Sequence, residues 1–355
     1  MYKWKSGSTP RVVYWVAFWL SALIIVTIII PGILVKKIPT ETSLIPLATP
    51  EAIAAGVLTT KAAVAEKQLM IPVYLSKKEV VETVPLEEYV RGVLAAEMPI
   101  AFELEALKAQ AMAARTYMLR RITDQDFSEV PTRDAWVTDT VVHQAYINED
   151  DLKSKWDNST KEANMAKINR AVEETRGLIL TYDNKPINAT FFSTSNGYTE
   201  NSEDYWPDKV PYLRSVPSPW DKKLSPRFED TVTFSYSTLL QKLGLSSISS
   251  KKGSTMGISI IEQSAGHRIM KIRVGGKTFT GREIREKLGL ASSQFNWKWK
   301  GSQLEITTYG YGHGVGMSQW GAQGMAKEGR TAADIVKYYY TGISIVQASE
   351  ILAMK

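Results

Sequence analysis

The acid whose position invites chemistry is Glu97. In the run Pro85-Leu86-Glu87-Glu88-Tyr89-Val90-Arg91-Gly92-Val93-Leu94-Ala95-Ala96-Glu97-Met98-Pro99, Val90, Val93 and Leu94 stand at i, i+3 and i+4. Glu97 takes the i+7 position of the same apolar stripe. It also falls in the last turn of the expected helix, where the negative end of the helix dipole opposes a second negative charge. Desolvation and the dipole both raise a carboxyl pKa. A carboxyl that keeps its proton near neutral pH is what protonating a glycosidic leaving oxygen requires. The plainer reading is a frayed helix end that turns Glu97 to solvent before Pro99. Glu87 and Glu88 sit in the first turn and are explained by the dipole alone.

The following stretch, Leu104 to Tyr117, is dense in Ala and reads as a central helix that other backbones approach closely. Gln110 and Arg115 on such a helix need partners. They could fix the acid or a sugar hydroxyl, or they could satisfy buried carbonyls. Both readings stand on spacing alone.

A second chemistry-bearing segment lies near the C-terminus: Tyr309-Gly310-Tyr311-Gly312-His313-Gly314-Val315-Gly316-Met317-Ser318-Gln319-Trp320-Gly321. Glycine at alternate positions leaves one face bare, so a ligand or another backbone can come near. Neither the Walker nor the Rossmann spacing is present, so this is not a phosphate cradle. The interleaved Tyr and His offer stacking and hydrogen-bonding groups, and Ser318 suits the N-cap of a following helix. A tight core turn is the alternative.

The elements that must position these groups follow from the rest of the chain. Its 355 residues include no Cys, which excludes disulfides and thiolate metal sites. The three histidines, His143, His267 and His313, have no metal-ligand spacing, and no metal or cofactor is expected. The net charge of +6 comes from scattered Lys and Arg, which suits a weak pull toward anionic surfaces and not a nucleic-acid footprint. From Val12 to Val35 no charged residue occurs, a length of about 36 Å as a helix, enough to span a bilayer. More positive charge precedes than follows it, so residues 1–11 are expected in the cytoplasm and the remainder outside. Residues 36–70, with Pro39, Pro46 and Pro50, read as a stalk. The folded domain is expected over 71–350, with 228–298 as a smaller inserted α+β subdomain. Helices are expected at about 85–97, 103–121 and 160–175, and residues 123–160 read as turn-rich. A strand pair, Leu178–Tyr182 with Ile187–Ser193, is expected around Asp183–Pro186, and a hairpin across Gly275-Gly276. The fold class is α+β, without regular βαβ alternation.

Five separated runs then point to one family. LEEYVRGVLAAEMP, EALKAQAMAARTY, FFSTSNGYTENSEDYW, VPYLRSV and YGYGHGVGMSQWGAQGMA together resemble the stage II sporulation protein D family, SpoIID, which shares its domain with the LytB amidase enhancers. The resemblance covers about residues 71–345. It implies a lytic transglycosylase acting on peptide-free peptidoglycan strands during engulfment, beside a SpoIIP-like amidase and a SpoIIM-like membrane protein, at the forespore-facing side of the mother-cell membrane. The family's catalytic glutamate falls on Glu97. Gln110, Arg115, Ser195, Asn196, His313, Ser318 and Gln319 sit in family motifs and are taken as substrate-binding candidates. Asn196 departs from the Gly expected in many relatives. Glu203 and Asp204 are the carboxylates available should the reaction be hydrolysis, and are assigned to a surface loop. The enhancer branch implies an alternative, a non-catalytic glycan-binding scaffold that stimulates an amidase.

Overall fold

The computed structural model describes residues 68–248 and 257–353. The expected tail at 1–11, the membrane span at 12–35 and nearly all of the stalk lie outside the described residues. Among the described residues no helix is long and apolar enough to cross a membrane.

The domain opens with an antiparallel hairpin, Met70–Leu75 with Val80–Pro85, in which Ile71, Val73 and Leu75 alternate inward. Pro85 becomes the N-cap of the helix Leu86–Glu97. The apolar stripe buries as its spacing requires, with Val90, Val93 and Leu94 wholly enclosed. The helix ends because Met98, the residue before Pro99, turns to an extended conformation at φ −110° and ψ 134°. The Ala-rich helix Leu104–Asp124 is central: Ala106, Ala109, Ala111, Ala113 and Ala114 have no exposed surface. It packs against the helices Leu86–Glu97, Asn158–Glu173, Gln319–Lys327 and Ala332–Tyr339 and against the strand Leu178–Tyr182. Small side chains let that many elements share one helix.

The segment expected to be turn-rich, 123–160, holds more structure than its polarity suggests. Val137–Thr138 adds a parallel strand beside Val73 and Tyr74, and Glu149–Ser154 forms a short helix capped by the Asn148 side chain.

The strand pairing expected after Leu178–Tyr182 is corrected. Asp183 and Asn184 both adopt positive φ, 48° and 58°, so the turn closes in two residues. Thr181 and Tyr182 then pair with Pro186 and Lys185, and the pairing ends with the Ile187 N–H donating to the Leu180 carbonyl at 3.1 Å. The other edge of Leu178–Tyr182 is taken by Ser344–Gln347 from the C-terminus. Of the expected strand Ile187–Ser193, only Phe191–Phe192 is extended, and it pairs in parallel with Met317–Ser318.

Residues 229–309 build two further three-stranded sheets and the helices Tyr236–Leu243 and Gly281–Leu288 around an apolar core of their own, including Leu239, Leu243, Ile272, Ile284, Leu304 and Ile306. The hairpin across Gly275-Gly276 forms as expected, with both glycines at positive φ. The strand Gln303–Tyr309 pairs with Glu229–Ser235, so this layer runs to the start of the glycine loop. The α+β class holds for the described residues.

Candidate active site

Glu97 ends its helix with its carboxyl folded inward. Oε1 accepts the backbone N–H of Ala145 at 2.8 Å, and Oε2 accepts Nε2 of Gln319 at 3.4 Å. Burial raises the Glu97 pKa above the ordinary carboxylate value, and the two donors, which favour the ionised form, only partly offset it. A half-buried carboxyl held by two hydrogen bonds does not match the frayed-end reading, in which Glu97 turns to solvent.

Ala145 reaches Glu97 because its loop is fastened to the same helix. Tyr89 donates its hydroxyl to Gln144 at 3.1 Å, and Ile147 N–H donates to Gly92 O at 3.4 Å. Gly92 permits that approach, since a Cβ there would collide with the Tyr146 ring and the Ile147 carbonyl. At the far side of the loop His143 accepts the Thr138 N–H on Nδ1 at 3.2 Å.

Gln319 arrives from the glycine loop, and its position is set by Asp221, a buried residue that no sequence pattern had singled out. Asp221 accepts the Ser195 N–H at 2.7 Å, the Ser318 hydroxyl at 2.5 Å and the Ser218 hydroxyl at 2.7 Å. One carboxylate thereby joins the Ser193–Gly197 turn, the glycine loop and, through Ser218 and the Tyr339 hydroxyl at 2.8 Å, the helix Ala332–Tyr339. Ser318 also caps the helix Gln319–Lys327 through the Gly321 N–H, as its position had suggested. Gln319 is thus fixed in the first turn of a capped helix, aimed at Glu97.

The bare face of the glycine loop is occupied by the protein itself. A Cβ at Gly316 would strike the Thr190 carbonyl, and one at Gly314 the Arg268 guanidinium; both residues hold positive φ, 83° and 91°. Arg268 is buried against Glu200, with Nε 3.4 Å from Oε1 and Nη1 donating to Ser292 at 2.8 Å. This pair ties the second apolar unit to the first, as does Asn196, whose Nδ2 donates to the Gly266 carbonyl at 2.7 Å.

The remaining candidates divide by place. Arg115 has no exposed surface: Nε and Nη2 grip the Glu87 carboxylate at 2.9 and 2.5 Å, and Nη1 donates to Leu178 O at 3.0 Å. All of it is spent on the fold, and Glu87 does more than complement a dipole. Ser195 is likewise enclosed, its hydroxyl donating to Ser218 O at 3.0 Å. Gln110 is fully buried, and neither side-chain amide atom finds a partner among the described residues. His313 accepts the Val315 N–H on Nδ1 at 3.1 Å, so Nε2 carries the proton donated to the Phe191 carbonyl at 3.1 Å. Burial, aided by Arg268 and Arg285, holds this imidazole neutral, with its pKa pushed down to about 3. Only its ring surface remains for contact. Glu203 pairs with Arg214, which lowers its pKa to about 2, and Asp204 accepts from Asn201 at 3.0 Å. Neither perturbs Glu97. Among the described residues no group of acids and histidines is arranged to hold a metal ion.

A family profile described as stage II sporulation protein matches residues 74–182, which include Glu97, Gln110 and Arg115. The stage II sporulation protein D of Bacillus subtilis (strain 168) is 48% identical over 282 residues, 79% of this chain and 80% of that protein. That of Bacillus amyloliquefaciens is 45% identical over 342 residues, 95% of this chain and 97% of the relative. The chain belongs to the stage II sporulation protein D family. It is a sporulation protein with a more distant relative in the amidase enhancer of Bacillus subtilis (strain 168), 30% identical over 304 residues, 72% of this chain and 40% of that protein.

Within this family member the Gln319 contact makes a measurable prediction. Gln319→Ala removes a donor to the ionised form of Glu97, so the carboxyl should titrate higher than in the parent. A carbon-13 titration of the Glu97 carboxyl reads this directly; an unchanged or lowered midpoint contradicts it.

Proposed function

We propose that this protein is a lytic transglycosylase that cleaves MurNAc–GlcNAc bonds in peptide-free peptidoglycan strands, with Glu97 as general acid and then general base. The observation that carries this reading is the half-buried carboxyl of Glu97 at the end of its helix, raised by burial and steered by the Ala145 N–H and the Gln319 amide. Glycoside hydrolysis ordinarily uses a pair of carboxylates, one of them to act as nucleophile or to activate water. A transglycosylase needs neither. Glu97 gives its proton to the bridging oxygen as the muramic C1–O bond breaks. The muramic 6-hydroxyl oxygen then bonds to C1, and its proton returns to Glu97, leaving a 1,6-anhydro end and the acid ready for another turn.

The apolar run at 12–35 supports single-pass anchoring, with the N-terminus in the cytoplasm and the catalytic domain outside, on the forespore-facing side of the mother-cell membrane. The family resemblance supports action beside a SpoIIP-like amidase, which would supply peptide-free strands, and a SpoIIM-like membrane protein.

The test is the product. Peptide-free strands incubated with the purified protein and analysed by mass should yield anhydro-ended fragments 18 Da lighter than hydrolytic ones, a difference fixed by one water on the order of 18 Da. Reducing ends carrying that water would replace this reading with a lysozyme-like hydrolysis. The similarity to the amidase enhancer favours a second reading, a non-catalytic glycan-binding scaffold. It predicts intact strands and stimulation of an added amidase that survives Glu97→Gln.

A further inference from the structure

Where the second apolar unit meets the glycine loop, three partly exposed rings gather: Tyr205, Trp206 and His313. Their centroids lie 5.2 to 5.7 Å apart, with Tyr205 and Trp206 edge to face. The helix Gly281–Leu288 lays two arginines on this group, spaced i, i+3 on one face. The Arg282 guanidinium carbon is 4.8 Å from the Tyr205 ring centroid, and Arg285 Nη1 donates to the Tyr205 hydroxyl at 3.3 Å.

Three of the four arginines at this spot have carboxylate partners, and Asp204, beside Tyr205, accepts from the Asn201 amide. Arg282 is paired with Glu286 at 2.7 Å, Arg268 with Glu200 and Arg214 with Glu203. His313 is neutral. Arg285, half-buried, makes no ion pair among the described residues. A half-buried guanidinium with unsatisfied charge prefers a planar anion, which it can bind through two parallel N–H donors. Partly exposed aromatic rings beside it suit the apolar face of a sugar.

His313 of this cluster and Gln319, which donates to Glu97, stand on the same glycine loop. His313 donates to the carbonyl of Phe191, whose register partner is Met317, two residues before Gln319.

We propose that Arg285, with Tyr205 and Trp206, forms a subsite for a carboxylate-bearing sugar: the free lactyl carboxylate of a muramic residue whose stem peptide is gone. This rests on the glycan-cleaving reading and gives it a physical basis for selectivity. A stem peptide joined at that position turns the carboxylate into a neutral amide, and the guanidinium loses its counter-charge.

The test uses the full chain in detergent with Glu97→Gln, so that binding is measured without turnover. Three oligosaccharides of equal length are compared: the peptide-free muramyl strand, the same strand with its lactyl carboxyls converted to methylamides, and neutral chitooligosaccharide. The free carboxylate should bind about tenfold to a hundredfold tighter than the methylamide, the range for hydrogen bonds to charged groups. Adding Arg285→Gln should erase that preference while chitooligosaccharide binding stays the same, and Arg285→Lys should keep part of it. A preference that survives Arg285→Gln, or its absence in the Glu97→Gln protein, overturns the proposal. Because binding is read without cleavage, a protein that fails to cut glycan can still show the preference, so the two readings fail separately.

Discussion

On the proposed transglycosylase reading, Glu97→Gln should lower glycan cleavage by about 10²–10⁴-fold, the usual contribution of a positioned general acid, and leave the domain folded. The amide keeps an oxygen to accept the Ala145 N–H but has no proton to give. The sign of its effect on stability follows from the raised pKa of the carboxyl. In the pH range between the ordinary carboxylate value and the raised one, the folded state holds a proton that the unfolded chain has released. Stability from this group is therefore present at low pH and is lost as pH rises through the folded pKa. The parent loses stability across that range, whereas the glutamine variant does not titrate there. Thermal unfolding at several pH values should find the variant at least as stable as the parent at neutral pH, and progressively favoured as pH rises. The parent's activity should fall on the alkaline side as Glu97 ionises. A folded Glu97→Gln protein that still produces anhydro ends at the parental rate would falsify the assignment of the acid.

Arg115→Ala should cost about 3–5 kcal/mol, the usual effect of removing one partner from a buried ion pair. That is a large share of the 5–15 kcal/mol that holds an ordinary domain. The side chain is fully enclosed and Glu87 is only 13% exposed, so the remaining carboxylate cannot turn to water. It keeps one weak donor, the Gly177 N–H at 3.3 Å. The Leu178 carbonyl loses its donor as well. The double change Glu87→Gln with Arg115→Met should cost less than the single one, because no unpaired charge remains inside. Denaturant unfolding of the two single variants and the double variant measures the coupling. A loss below about 1 kcal/mol for Arg115→Ala, the scale of an exposed pair, contradicts the buried-pair account.

The contrast between Arg115 and Glu97 marks how far the sequence reaches. Glu97's apolar neighbours lie within seven residues, so helix periodicity puts it on the apolar stripe, while whether its carboxyl turned inward was left open until Ala145 and Gln319 were placed. The same locality made the Ser318 cap and the Gly275-Gly276 hairpin legible, since each depends on backbone conformation within a few residues. Arg115's partner is Glu87, 28 residues away, and both could equally have met other groups. Asp221 bonds to residues 26 and 97 positions distant, and nothing near it in the chain announces that role. Ala145 acts through a backbone N–H, which every residue but proline carries, so its 48-residue reach to Glu97 left no side-chain signal.

The strand expected at Ile187–Ser193 went to a different partner for a related reason. Its alternation is compatible with several edges, and the two-residue turn at Asp183-Asn184 with the competing C-terminal strand Ser344–Gln347 decided among them. By itself, then, the sequence determined the long helices, the apolar stripe that carries Glu97 and the tight glycine turn, because those outcomes are governed by contacts a few residues long. Only the tertiary structure decided what meets that acid and which charges neutralise one another. Those contacts close long loops, and the loss of chain entropy in closing them is offset by packing that involves the whole domain at once.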